Sequence, residues 1–157
     1  MVTAPPRSGT TWIADWLTEH NFPTSHERCF LTLRGDPSIP YFRTCRFPGE
    51  SSYLAAPWST KLRAMGVTVI HLRRPIDDIA GSMKHLRWDL STGWPAVRHF
   101  APEVLETEPF SLTQYRTFAR AWTALIDADV VWDLYDVGDK ELDWMGERFD
   151  RTVKRNN

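Results

Sequence analysis

The run Val67-Thr68-Val69-Ile70-His71-Leu72 constrains the fold more than any other segment of the chain. It is almost continuously β-branched and apolar, Gly66 precedes it, and Arg73-Arg74-Pro75 ends it. Such a run reads as a strand buried on both faces, which is the habit of parallel sheets covered by helices. The rest of the chain fits that reading. Val2-Thr3-Ala4 ends a short first strand, and Thr10 to about His20 reads as a helix with Trp12, Ile13, Trp16 and Leu17 at helical spacing. Tyr41–Phe47 has strand character and is closed by Pro48-Gly49. A helix around Ser52–Met65 is interrupted by Pro57. Ile76–Arg87 is the helix after the buried strand, with Pro75 tolerated at its start. Leu112–Ala128 repeats apolar residues at Tyr115, Phe118, Ala119, Trp122 and Leu125. Val130-Val131-Trp132 reads as a short strand and Lys140–Phe149 as a last helix, whereas Asn21–Gly35 is mixed and receives no element.

The recurring strand-then-helix order predicts one three-layer α/β domain over residues 1–157, with a mostly parallel central sheet, flanking helices and right-handed crossovers. A chain of 157 residues supports one substantial core and is short for two catalytic domains. Trp88–Thr107, with its glycine and prolines, reads as partly irregular: a substrate flap or a partner-docking segment.

Charge narrows the function. The formal net charge of −1 hides an asymmetry: residues 1–75 carry nine Arg/Lys against five Asp/Glu, and residues 76–157 carry ten against fifteen. A local anion site in the first half is therefore compatible with a nearly neutral total. No basic run interleaved with aromatics points to nucleic acid. No 18-residue apolar stretch suggests a membrane span, and the start lacks the basic and long apolar regions of a secretory signal. Cys29 and Cys45 could form one disulfide but define neither a disulfide framework nor a metal site, so reduced thiols in a cytoplasmic protein are the default expectation.

Pro6-Arg7-Ser8-Gly9-Thr10-Thr11-Trp12 follows the first strand and opens the first helix. A loop so placed presents backbone N–H groups and hydroxyls to an anion, aided by the field of the helix terminus, which makes the fold P-loop-like. The Walker pattern requires Gly-Lys-Ser/Thr, and Thr10 stands where its lysine belongs. ATPase or GTPase chemistry of the usual kind is disfavoured.

Taken with Ile70-His71-Leu72-Arg73-Arg74-Pro75-Ile76-Asp77-Asp78-Ile79-Ala80-Gly81-Ser82, this loop resembles the paired sulfonucleotide-binding motifs of PAPS-dependent sulfotransferases. The resemblance covers the first helix and Val67–Ser82, and is weaker elsewhere. It implies that Arg7, Ser8, Gly9, Thr10 and Thr11 hold the 5′-phosphosulfate side of the donor, with Arg7 and Thr10 acting on the group transferred. It implies Arg73 and Ser82 for the 3′-phosphate and Trp12 for the adenine, although Ser82 stands one residue farther from Pro75 than in the common cytosolic form. The activity implied is transfer of a sulfuryl group from PAPS to a hydroxyl or amine of a small molecule, leaving PAP, with no metal. Arg43-Thr44-Cys45 resembles the family's Lys-Thr-His segment, but Cys45 replaces the proton-accepting histidine. His26, Glu27, Asp36 and Glu50 are alternative bases, His20 caps the first helix, and His71 is structural. Asp77 and Asp78 cap or salt-bridge the second motif's helix. Arg151, Lys154 and Arg155 are candidates to close over the 3′-phosphate, but the late Arg-Lys-Gly motif is not matched, and a solvated basic tail is the expected reading. Two other functions fit the same loop: a P-loop nucleotide or small-molecule kinase using arginines, and a non-catalytic PAP-binding or protein-interaction module.

Overall fold

The computed structural model describes residues 1–29, 48–90 and 95–149. Among the described residues five parallel strands form one sheet: β1 (Val2–Thr3), β2 (Thr24–His26), β3 (Gly49–Ser51), β4 (Ile70–Arg73) and β5 (Val130–Asp133), in spatial order β2-β3-β1-β4-β5. Six α-helices among the described residues accompany them: α1 (Thr10–Glu19), α2 (Ser59–Ala64), α3 (Ile76–His85), α4 (Pro95–Phe100), α5 (Leu112–Ala124) and α6 (Asp139–Arg148). The expected three-layer α/β arrangement is present, with every strand pair parallel.

Alternation along β4 builds both layers. Ile70 and Leu72 join Val2, Ile13 and Leu17 of α1, Trp132 and Met145 of α6 in one buried cluster. Val69, just before the strand, belongs to the other cluster with Ile79 and Met83 of α3 and Phe118 and Trp122 of α5. Ser111 caps α5 by accepting from the Gln114 backbone N–H at 3.0 Å, a bond that satisfies one of the helix's orphan donors. In α3, Asp77 and Asp78 lie in the first turn and Lys84 and His85 in the last, each matching the helix dipole.

Several boundaries differ from the sequence expectation. The expected helix Ser52–Met65 divides after Trp58 into a 3-10 helix, Tyr53–Trp58, which contains Pro57, followed by α2. The strand expected over Val67–Leu72 begins only at Ile70. Trp88–Thr107 contains α4 and a 3-10 helix, Pro102–Glu106, so much of it is ordered secondary structure. Strands β2 and β3 arise in segments to which no strand was assigned. The strand expected at Tyr41–Phe47 lies outside the described residues. Cys29 is buried and disulfide-bonded, contrary to the reduced thiol expected of it; Cys45 lies outside the described residues. No helix among the described residues is long and apolar enough to cross a membrane.

Candidate functional site

The chain leaves β1 toward β2 and leaves β4 toward β5, on opposite sides of the sheet, although β1 and β4 are neighbours. Such a reversal opens a crevice at the carboxyl ends of the strands. The loop after β1 and the turn after β4, the two elements singled out in the sequence, both end there.

The first loop has an unusual backbone. Arg7 and Gly9 take left-handed conformations, with φ of 68° and 87°. A Cβ on Gly9 would lie 2.8 Å from Leu134 Cδ1, so glycine meets both a conformational and a steric need. Helix α1 begins without a side-chain cap, which leaves its first N–H groups to the crevice. The Ser8 hydroxyl is buried and has no hydrogen-bond partner among the described residues. Thr10 is also buried, and its carbonyl accepts from Ser51 Oγ at 2.8 Å, which ties the start of α1 to the end of β3. These orphaned donors fit an anion.

The second element reaches the first directly. Arg74 Nη1 donates to the Arg7 carbonyl at 2.6 Å, and Arg7 Nε donates to Ser82 Oγ at 3.2 Å. Arg7 and Ser82, 75 positions apart, therefore share one polar cluster. Arg74, next to the Arg73 singled out in the sequence, joins the two elements alongside the Arg7–Ser82 bond. Its Nε donates to Tyr135 Oη at 3.1 Å, and that hydroxyl donates to Asp78 Oδ2 at 2.7 Å. Arg73 points along β5 instead, where Nη2 pairs with Asp133 Oδ2 at 3.0 Å. The bond from Arg73 holds the Asp133 carboxyl below its ordinary range. Asp77 forms the expected ion pair, with Arg116. A cleft of about 270 Å³ opens here among Pro5, His71, Arg73, Ile76, Thr123 and Asp133. Within it, burial and then the neighbouring Arg73 charge lower the His71 pKa, so its ring is neutral at pH 7. A larger cavity, about 340 Å³, opens at the amino-terminal ends of the strands among Val2, Phe22, Pro23, Val67 and Met145, at the opposite end of β1 and β4 from the crevice.

On the other side of the loop, His26 ends β2 and places Nε2 at 3.2 Å from Thr10 Oγ1 and 3.3 Å from Thr11 Oγ1. Burial lowers the His26 pKa, outweighing the opposing fields of Glu50 and Asp15. Its ring is neutral at pH 7 and accepts from both threonines when Nε2 carries no hydrogen. Glu27 follows, with Oε1 3.7 Å from His26 Nε2. Burial, then the nearby Glu50 charge, push its carboxyl up to about 7. Glu50 is buried and accepts from the Arg28 and Cys29 backbone N–H groups at 2.8 and 3.0 Å, and from the Ser25 hydroxyl. No family model, curated protein or solved structure matches the chain.

The predicted site residues thus divide. Arg7, Ser8, Gly9, Thr10, Thr11 and Ser82 gather at the crevice, and Arg73 stands at its β5 side. Trp12 is 45% exposed and stacks on Trp16 with centroids 6.0 Å apart, so it does not anchor α1 to the sheet. His20 caps α1 as expected, its Nδ1 lying 2.7 Å from the Trp16 carbonyl oxygen. Asp36, Cys45, Arg151, Lys154 and Arg155 lie outside the described residues. Asp133 and Tyr135 escaped the sequence reading. The signal available was their position at the carboxyl end of a strand beside the motif strand.

Proposed function

We propose that this chain transfers a sulfuryl group from PAPS to a hydroxyl or amine acceptor. The observation that carries this reading is the Arg7 bridge, in which the β1 loop bonds to Ser82 while the β4 turn bonds back to the loop. Two anion-binding elements meeting at one crevice suit a donor with phosphate at one end and phosphosulfate at the other. Ser8, Thr10, Thr11 and the open first turn of α1 supply hydrogen bonds to the phosphosulfate. Arg7 supplies a fixed positive charge that suits the charge developing on the bridging oxygen. Arg73, Arg74 and Ser82 serve the 3′-phosphate. The bound donor contributes an activated sulfuryl group, so the protein's tasks are orientation, charge stabilisation and removal of one proton. His26, neutral and already within reach of both threonine hydroxyls, is the residue placed to take that proton.

Calorimetric titration of PAP, PAPS, ADP and ATP into the intact chain, Arg7→Ala and Arg73→Ala tests the assignment. PAP is expected to bind more tightly than ADP, and each substitution to weaken it by roughly tenfold or more, the scale of one charge-assisted hydrogen-bonded pair. Absence of PAP binding, or indifference of folded protein to both substitutions, sinks the donor site. Preference for ATP with Mg²⁺ and phosphorylation of an acceptor would establish the kinase instead. PAP binding without turnover across an acceptor panel would establish a non-catalytic module.

A further inference from the structure

We propose that Glu27 is the proton store of this site, receiving on its carboxylate the proton that His26 removes from the acceptor. The inference rests on the sulfuryl-transfer reading and adds to it the destination of the proton.

Geometry selects Glu27. Its Oε1 is buried, has no hydrogen-bond partner among the described residues, and lies 3.7 Å from His26 Nε2. A carboxylate oxygen withdrawn from water without a donor is costly, and a nearby group able to deliver a proton removes that cost. Its backbone takes φ of 51°, a left-handed conformation that residues with a Cβ rarely adopt. The surrounding structure therefore imposes this placement against local preference. At 3.7 Å the pair stands just outside hydrogen-bond reach, and protonation of the imidazole supplies the attraction that closes it.

The neighbours set the direction of transfer. Glu50 on β3 faces both groups, Asp15 of α1 faces His26, and the Tyr53 hydroxyl faces Glu27. Burial works against the ordinary order of proton affinity between imidazole and carboxyl: it lowers the His26 pKa and, with the Glu50 charge, pushes Glu27 up to about 7. A proton entering the pair comes to rest on Glu27. The balance is complete. As the acceptor atom bonds to sulfur, the S–O bond to phosphate breaks and its electron pair remains on the phosphate of PAP. The acceptor's proton passes to His26 and then to the Glu27 carboxylate, leaving His26 neutral.

Histidine-labelled protein, titrated by NMR from about pH 5 to about pH 9, reads the pair directly. In the wild type the His26 ring should report two steps, one near pH 7 from Glu27 and one below 6.5 from its own protonation. Glu27→Gln should lose the step near 7 and keep the lower one, and Glu27→Asp should keep two steps. A single step in the wild type, or a step near 7 that survives Glu27→Gln, overturns the proposal; should that variant not fold, the wild-type titration alone decides. PAP calorimetry run alongside separates the two readings. A wild type that shows both steps but does not bind PAP overturns the donor site and leaves the proton pair standing. A wild type that binds PAP with a single-step His26 overturns the proton store alone.

Discussion

At the residue scale the loop depends on a backbone that most residues resist. Arg7 holds φ of 68° although it carries a Cβ, at a cost of about 1–2 kcal/mol for the left-handed region. Gly9 takes φ of 87° without that cost, under the Leu134 side chain. Gly9→Ala adds the left-handed penalty and a contact of 2.8 Å with a Leu134 methyl. The end of a leucine side chain can rotate away, but φ cannot change without moving the loop. The variant should lose about 1–2 kcal/mol in urea denaturation and bind PAP more weakly than the wild type. A variant equal to wild type in both measurements would show that the loop tolerates another backbone conformation and that its donors are not prearranged.

Among the elements, the contrast between β4 and β2 shows what a sequence reveals. Strand β4 and Val69 just before it feed both apolar clusters, so the composition of that run announces it, and the helix following Pro75 is equally plain. Strands β2 and β3 span three residues each, Thr24–His26 and Gly49–Ser51, with no apolar run. They exist through their partners: Ser51 pairs with Val2, and Thr24 with Gly49. Gly49 is needed because a Cβ there would stand 2.6 Å from Thr24 Oγ1 and 3.2 Å from the Pro23 carbonyl, a constraint known only once the strands pair. The site inherits the same division. Its loop and strand-end arginines were readable, because each motif is local. The contact of His26 with Thr10 and Thr11 was not, because it requires β2 to be placed beside α1. Helix α5 gives an element-scale test. Trp122 is fully buried, tilts against Phe118 at 5.0 Å and donates Nε1–H to the Tyr53 carbonyl at 2.9 Å. Trp122→Phe keeps an aromatic ring but leaves that carbonyl without this donor and opens space beside it. A loss of about 2–3 kcal/mol in denaturation is expected, with PAP affinity retained in the folded fraction because the Trp122 ring packs against Phe100 and Phe118 and does not line the cleft. A change under about 0.5 kcal/mol would show that the indole bond contributes nothing beyond ring packing.

For the molecule as a whole, the site opposes stability. Glu27 titrates near 4.5 in a solvated chain and at about 7 when folded, because burial and Glu50 disfavour its charge. Below pH 4.5 both states hold the proton and this group does not alter the balance. Between 4.5 and 7 the unfolded chain releases the proton while the native protein retains it, so the native state binds more protons and its stability falls as pH rises. Above 7 the native carboxyl is ionised as well and the loss is complete, on the order of 3 kcal/mol for a shift of this size. A carboxylate left in water would not hold a proton near neutrality, so the burial that lowers stability is the same burial that raises this pKa. Glu27→Gln removes the titration and should flatten the decline, making the variant more stable than the wild type above pH 7 and nearly equal to it below 4.5. Urea denaturation across this range measures the difference, and a variant whose stability follows the wild-type curve at every pH would show that Glu27 carries no such strain.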